Sequence, residues 1–79
     1  MTLTDAIRAI YRQVGAPDWA AANLDGLADV LRDLSWVPPG PVPVDVPELP
    51  EPEAAQLRAV LWQIAGETAD GLRPVQPSE

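Results

Sequence analysis

Seven of the ten prolines in this 79-residue chain fall between Pro38 and Pro52, in the stretch "PPGPVPVDVPELPEP". Proline lacks an amide hydrogen, fixes φ and breaks a helix interior at a cost of about 3 kcal/mol. Helices are therefore confined to the segments before Pro38 and after Pro52. Inside the stretch Val42, Val44 and Val46 alternate as a strand would, but Pro43 cannot donate to a ladder from a central position. An edge strand over 42–46 or an extended polyproline-like segment is expected.

Before the prolines, Leu3, Ile7, Ile10 and Val14 recur at helical spacing, with Thr4 as N-cap and Gly15 and Pro17 as terminators. This predicts a first helix from about Asp5 to Val14. A short loop, "GAPDWAAAN", leads to Asn23, a residue suited to capping a second helix whose apolar stripe is Leu24, Leu27, Val30, Leu31 and Leu34. After the prolines, a third helix is expected from Pro52, at its first position, to about Ala69. It buries Ala54, Leu57, Val60, Leu61 and Ile64 and is followed by Gly71. Trp62 falls outside that stripe. A last short strand is expected at 73–76, parallel to 42–46 through a helical crossover.

The chain has the size of one small domain, 1–79, near the lower limit for a self-sufficient core. Phe is absent, so the core must be mostly Leu, Val, Ile and Ala. Absence of Cys and His removes disulfides, thiolate nucleophiles, the usual zinc ligands and the usual general base together. An enzyme is not expected, and neither is a metal or other cofactor. No basic, then apolar, leader opens the chain and no apolar run approaches about 18 residues, so a soluble, cytoplasmic protein without a membrane partner is expected.

Twelve Asp and Glu against five Arg give a formal net charge of −7. That balance disfavours nucleic acid as a partner, because such binding draws on Lys and Arg neutralising phosphates. It favours a basic protein, since complementary fields accelerate association.

The acids are concentrated in "NLDGLADVLRDL", where Asp25, Asp29 and Asp33 stand four apart on the side of the second helix facing away from its apolar stripe. Like charges at that spacing repel. Asp25, in the first turn, is favoured by the helix dipole, whereas Asp29 is mid-helix and Asp33 lies where negative charge is disfavoured. Arg32 can pair with Asp29, but one arginine does not neutralise three carboxylates. Gly26, inside the same helix, costs about 1 kcal/mol relative to Ala, which suggests a tight packing contact. Glycoside hydrolysis needs two carboxyls flanking a sugar-sized cleft, and a divalent cation needs oxygens converging from several elements. Acids projecting from one helix meet neither requirement. Trp19 and Trp36 bracket the helix, and tryptophan is a residue of interface hot spots as well as of cores.

The run "PDWAAANLDGLADVLRDLSW" resembles the barstar family, intracellular inhibitors of secreted ribonucleases, in its proline, loop aromatic, Asn-Leu-Asp and second acid four residues on. The likeness is good from about Leu3 to Trp36 and faint from about Leu57 to Gln76. It implies an α/β fold in which helices pack on a small parallel sheet, and an acidic helix that enters a ribonuclease active site in place of RNA phosphates. Carried over by residue, Trp19 matches the loop aromatic, Asn23 the helix-start asparagine, and Asp25 and Asp29 the two acids, with Asp29 the main electrostatic anchor. Ala22, Ala28 and Trp36 fall on the same implied contact surface, while Asp33 has no counterpart and is read as a steering charge.

The chain also departs from the family pattern. Ala21 stands where Gly is usual, Ala28 where a well-known member has an aromatic, and Gly66 where that member has an acidic contact, with Glu67 one position off. The family's first strand has no room before the first helix, Met1–Leu3 being at most a vestige. The expected fold is thus a reduced barstar-like one, with three main helices on two, at most three, short strands and an exposed sheet edge that a partner or second copy covers. The alternative function is a small acidic helical adaptor for a non-nuclease protein.

Overall fold

The computed structural model describes residues 1–78. In chain order they form α1 (Leu3–Val14), α2 (Leu24–Asp33), β1 (Val42–Asp45), α3 (Glu53–Thr68) and β2 (Val75–Ser78). β1 and β2 pair in parallel, Val42 opposite Val75 and Asp45 opposite Ser78, with α3 connecting them. Three helices on a two-stranded parallel sheet is the reduced α/β architecture expected.

α1 begins two residues earlier than its apolar spacing suggests. Both Thr2 and Thr4 could cap, and the Thr2 hydroxyl takes the role by accepting from the Asp5 amide at 3.1 Å. Leu3 is thereby drawn into the helix, so Met1–Leu3 supplies no strand. Gly15 ends α1 at φ 66°, a left-handed conformation that glycine adopts without penalty. α2 ends instead on Leu34, held at φ 44° with its side chain buried, so burial of the apolar group outweighs the backbone cost there. Pro52 lies just outside α3, which runs from Glu53 to Thr68.

The buried centre is Ile7, Ile10, Leu27, Leu31, Leu34, Leu57, Leu61, Ile64 and Val44, all fully enclosed. These come from every helix and from β1. Tyr11 is the one aromatic among the buried residues, while Trp19, Trp36 and Trp62 all retain exposed surface.

β2 spans 75–78, two residues later than expected, because Pro74 serves the ladder from just before the strand: its carbonyl accepts from Val42 N–H at 2.8 Å. With Gly40, Val42 and Val46 donating toward the second strand, Pro43 points the other way, where no donor is needed. Asp45 also faces that outer edge, and its N–H and C=O are both taken by the Gln13 side-chain amide, at 2.7 and 2.9 Å. On the opposite edge Val75 N–H donates to the Thr68 hydroxyl at 2.9 Å, and Pro77 has no N–H. Among the described residues neither outer edge therefore keeps a free N–H donor, which blunts the edge that a partner or second copy was expected to cover.

Candidate partner-binding face

α2 is fixed by its ends and its inner face. The Asn23 side chain accepts from Gly26 N–H at 2.7 Å, with Asn23 itself in extended conformation, as its capping chemistry predicts. Leu27, Val30 and Leu31 are buried against the rest of the core. Asp25, Asp29 and Asp33 consequently face solvent, the Asp29 side chain at 81% exposure. Asp33 stands at the last turn, where Ser35 Oγ donates to it at 3.3 Å.

Arg32 does not spend itself on Asp29. Their closest approach is 4.0 Å, whereas the Arg32 guanidinium forks onto Glu67 of α3 through Nε at 3.2 Å and Nη2 at 3.1 Å. The hydrogen bond from Arg32 holds the Glu67 carboxyl below its ordinary range, and the same bond raises Arg32. Glu67, expected on the contact surface, is thus also half of a bridge that ties α2 to α3. Beside that bridge lies a groove of about 390 Å³ lined by Leu24, Asp25, Ala28 and Asp29 of α2 and by Val60 and Gln63 of α3. Ala28, where an aromatic could have filled the space, leaves the groove open between the two acids.

The loop before α2 is pinned from below. Tyr11, buried in α1, donates its hydroxyl to the Ala21 carbonyl at 2.5 Å. The same carbonyl oxygen lies too close to where a β-carbon on residue 26 would stand to admit one, so the close packing that Gly26 suggested is a contact between the loop backbone and the first turn of α2. Burial, and secondarily the Asp29 carboxylate, raise the Tyr11 phenol above its usual value, which keeps it a donor. With its base held, the loop presents Trp19 at 78% exposure and Asp18 beside it. Ala22 lines the clefts on both sides of the loop.

Trp36 behaves differently. It follows the other end of α2, about 15 Å along the helix, where its indole N–H donates to Val14 O at 2.9 Å and leaves it 37% exposed. That bond ties the C-terminal ends of α1 and α2 together. The structure therefore gathers Ala22, Asn23, Asp25, Ala28 and Asp29 around the first half of α2, with Asp33 one turn on, while Trp36 and Glu67, both still partly exposed, each also hold a bond within the fold. Tyr11 is the residue that the sequence reading missed. The available signal was a tyrosine on a buried helix face, whose hydroxyl must find an acceptor.

Among the described residues no cluster of acidic side chains is close enough to hold a metal ion, and no helix is long and apolar enough to cross a membrane. A family model described as Barstar (barnase inhibitor) matches residues 1–74. Comparison with curated proteins and with solved structures found no match.

Proposed function

The chain belongs to the barstar family, and from that premise we propose that it is a protein inhibitor of a basic ribonuclease, acting by occlusion and without chemistry of its own. The observation that carries this reading is the Asp25–Asp29 face: two exposed carboxylates one helical turn apart, next to a pinned loop with an exposed Trp19, while the neighbouring Arg32 is engaged by Glu67. Helix repulsion between such acids costs a few tenths of a kcal/mol. Close charge pairs in the barnase–barstar complex couple by about 1.5–7 kcal/mol, a scale that belongs to that complex and is large enough to outweigh the repulsion. Asp29 is the anchor, Asp25 its partner at the helix start, and Asp33 adds field that speeds encounter.

The test is inhibition of a panel of small basic ribonucleases, barnase among them, by the wild-type chain and by Asp29→Ala. Truncating one member of a desolvated charge pair costs about 2 kcal/mol or more, so Asp29→Ala should bind at least thirtyfold more weakly at low salt. Equal inhibition by the two proteins sinks the role of Asp29, and no inhibition of any member sinks the function.

The engagement of Glu67 by Arg32 favours one second reading, since the acids of this face outside that bridge, Asp25, Asp29 and Asp33, lie on a single helix. A basic partner that is not a nuclease would be held by that helix alone. Co-purification of such a partner, without ribonuclease activity, would favour the adaptor.

A further inference from the structure

Five arginines oppose twelve carboxylates in this chain, and three of them are committed: Arg32 to Glu67, Arg58 to Glu51 and Arg73 to the Val37 carbonyl. Arg8 and Arg12 have no hydrogen-bond or ion-pair partner among the described residues. They stand one turn apart on the exposed side of α1, a spacing at which like charges repel. Arg12 in the last turn is favoured by the helix dipole, but Arg8, in mid-helix, gains nothing from it. Both line a cleft of about 410 Å³ between α1 and the loop that carries Trp19. The far side of that loop leads through Ala22 to Asn23 and Asp25. The surface thus runs from a basic pair, across the loop that carries Trp19, to an acidic pair. A standard interface takes about 800 Å² from each partner, a sizeable share of the 4623 Å² that this small chain exposes, so one partner can cover both charges.

We infer that Arg8 and Arg12 form a second contact, complementary in sign to the first, that receives a carboxylate of the same ribonuclease at the rim of its basic cleft. A guanidinium pairs bidentately with carboxylate or phosphate. A polyanion such as RNA is disfavoured, because it meets Asp18 in the same cleft and Asp25 and Asp29 beyond the loop. A basic protein bearing one acidic group at its rim meets matching charge on both sides of that loop. The Arg pair would then select, among basic ribonucleases, those with that acidic group in reach. This inference rests on the inhibitor reading proposed above.

The test separates the two. Full-length wild type, Asp29→Ala and the double variant R8Q/R12Q are compared for association rate, dissociation rate and inhibition against the ribonuclease panel, with thermal unfolding as a check on the fold. Removing two positive charges takes the net charge from −7 to −9, so long-range attraction alone predicts that R8Q/R12Q binds a basic enzyme faster and more tightly. Direct contact predicts the opposite sign in affinity: association unchanged or faster, dissociation faster by more, and a net weakening of tenfold or greater. An unchanged or tightened complex for R8Q/R12Q, while Asp29→Ala is weakened, overturns the arginine contact and leaves the inhibitor reading standing. Binding of an RNA oligonucleotide by wild type that is lost in R8Q/R12Q also overturns it. Failure of wild type to inhibit any ribonuclease removes the inhibitor reading and this contact with it.

Discussion

The carbonyl oxygen of Ala21 crowds the place on the first turn of α2 where a β-carbon on Gly26 would stand, too closely to admit one. A glycine inside a helix ordinarily costs about 1 kcal/mol relative to alanine. Here the added methyl would push against loop backbone, and overpacking of that kind costs about 1–3 kcal/mol. Gly26→Ala should therefore lower stability, by up to about 2 kcal/mol net, and shift the Trp19 loop. Gly66 provides the contrast, since nothing lies within 4 Å of its β-carbon position. Gly66→Ala should stabilise by up to about 1 kcal/mol. Urea unfolding of the two variants reads both signs, and stabilisation by Gly26→Ala would contradict the close approach.

Tyr11 holds the other side of that same carbonyl. Tyr11→Phe removes a single net hydrogen bond, about 1 kcal/mol, and leaves the Ala21 carbonyl to find another donor. The variant should also flatten the alkaline limb of stability. Burial first, and Asp29 second, raise the phenol. Its contribution is thus fully present below the unfolded value of about 10 and is lost as pH rises through the higher folded value. Wild type should lose stability above that point more steeply than Tyr11→Phe, as chemical denaturation at graded alkaline pH will show. Equal slopes would mean that Tyr11 is not the titrating group.

The helices and the acidic face were legible because each rests on a local rule. Asn23 caps through an amide three residues away, Gly15 terminates by its own φ, and the stripe of Leu27, Val30 and Leu31 leaves Asp25 and Asp29 on the opposite side. Features that join distant segments were not legible. The Arg32–Glu67 fork spans 35 residues and depends on how α2 and α3 cross, so the sequence offered only the nearer Asp29. The β2 boundary was read two residues early, and Pro74, inside the expected strand, accepts from Val42 just before the observed one begins. Pro43 seemed to argue against pairing until the alternation of a parallel ladder turned its missing N–H outward. Trp36 was read only as bracketing the acidic helix with Trp19, and its indole bond to Val14 O, 22 residues away, was not legible.

The Arg32–Glu67 bridge predicts an acid dependence. The Arg32 hydrogen bond depresses the Glu67 carboxyl, so this contribution is present above the unfolded value of about 4.3 and is lost as pH falls through the lower folded value. Glu67→Gln should be slightly less stable than wild type at neutral pH and should lose less on acidification below that point. The same variant frees Arg32 to turn toward Asp29, 4.0 Å away. It should therefore weaken ribonuclease binding by partly neutralising the anchor, although Glu67 itself makes no contact in that scheme. Binding of E67Q equal to that of wild type would show that Arg32 leaves Asp29 free in either case.

Gln13 gives a test of the closed sheet edge. Its amide exchanges two hydrogen bonds with the Asp45 backbone, and Ser78 Oγ donates to the Asp45 carboxylate at 3.1 Å from the other strand. Gln13→Ala removes both main-chain bonds at a residue that water can reach, for a loss of about 1–2 kcal/mol. The Asp45 amide should exchange about tenfold faster, as expected for a lost bond of about 1.4 kcal/mol, while Val42, bonded across the ladder, stays protected. Self-association should nevertheless not appear. Pro41, Pro43 and Pro47 leave Asp45 as the one N–H along that edge, and one donor cannot start a ladder with a second chain. Hydrogen exchange and size-exclusion chromatography of Gln13→Ala measure the two halves separately. Faster exchange with an unchanged elution volume is the expected pair, and concentration-dependent dimerisation of the variant would show that the prolines do not close the edge without Gln13.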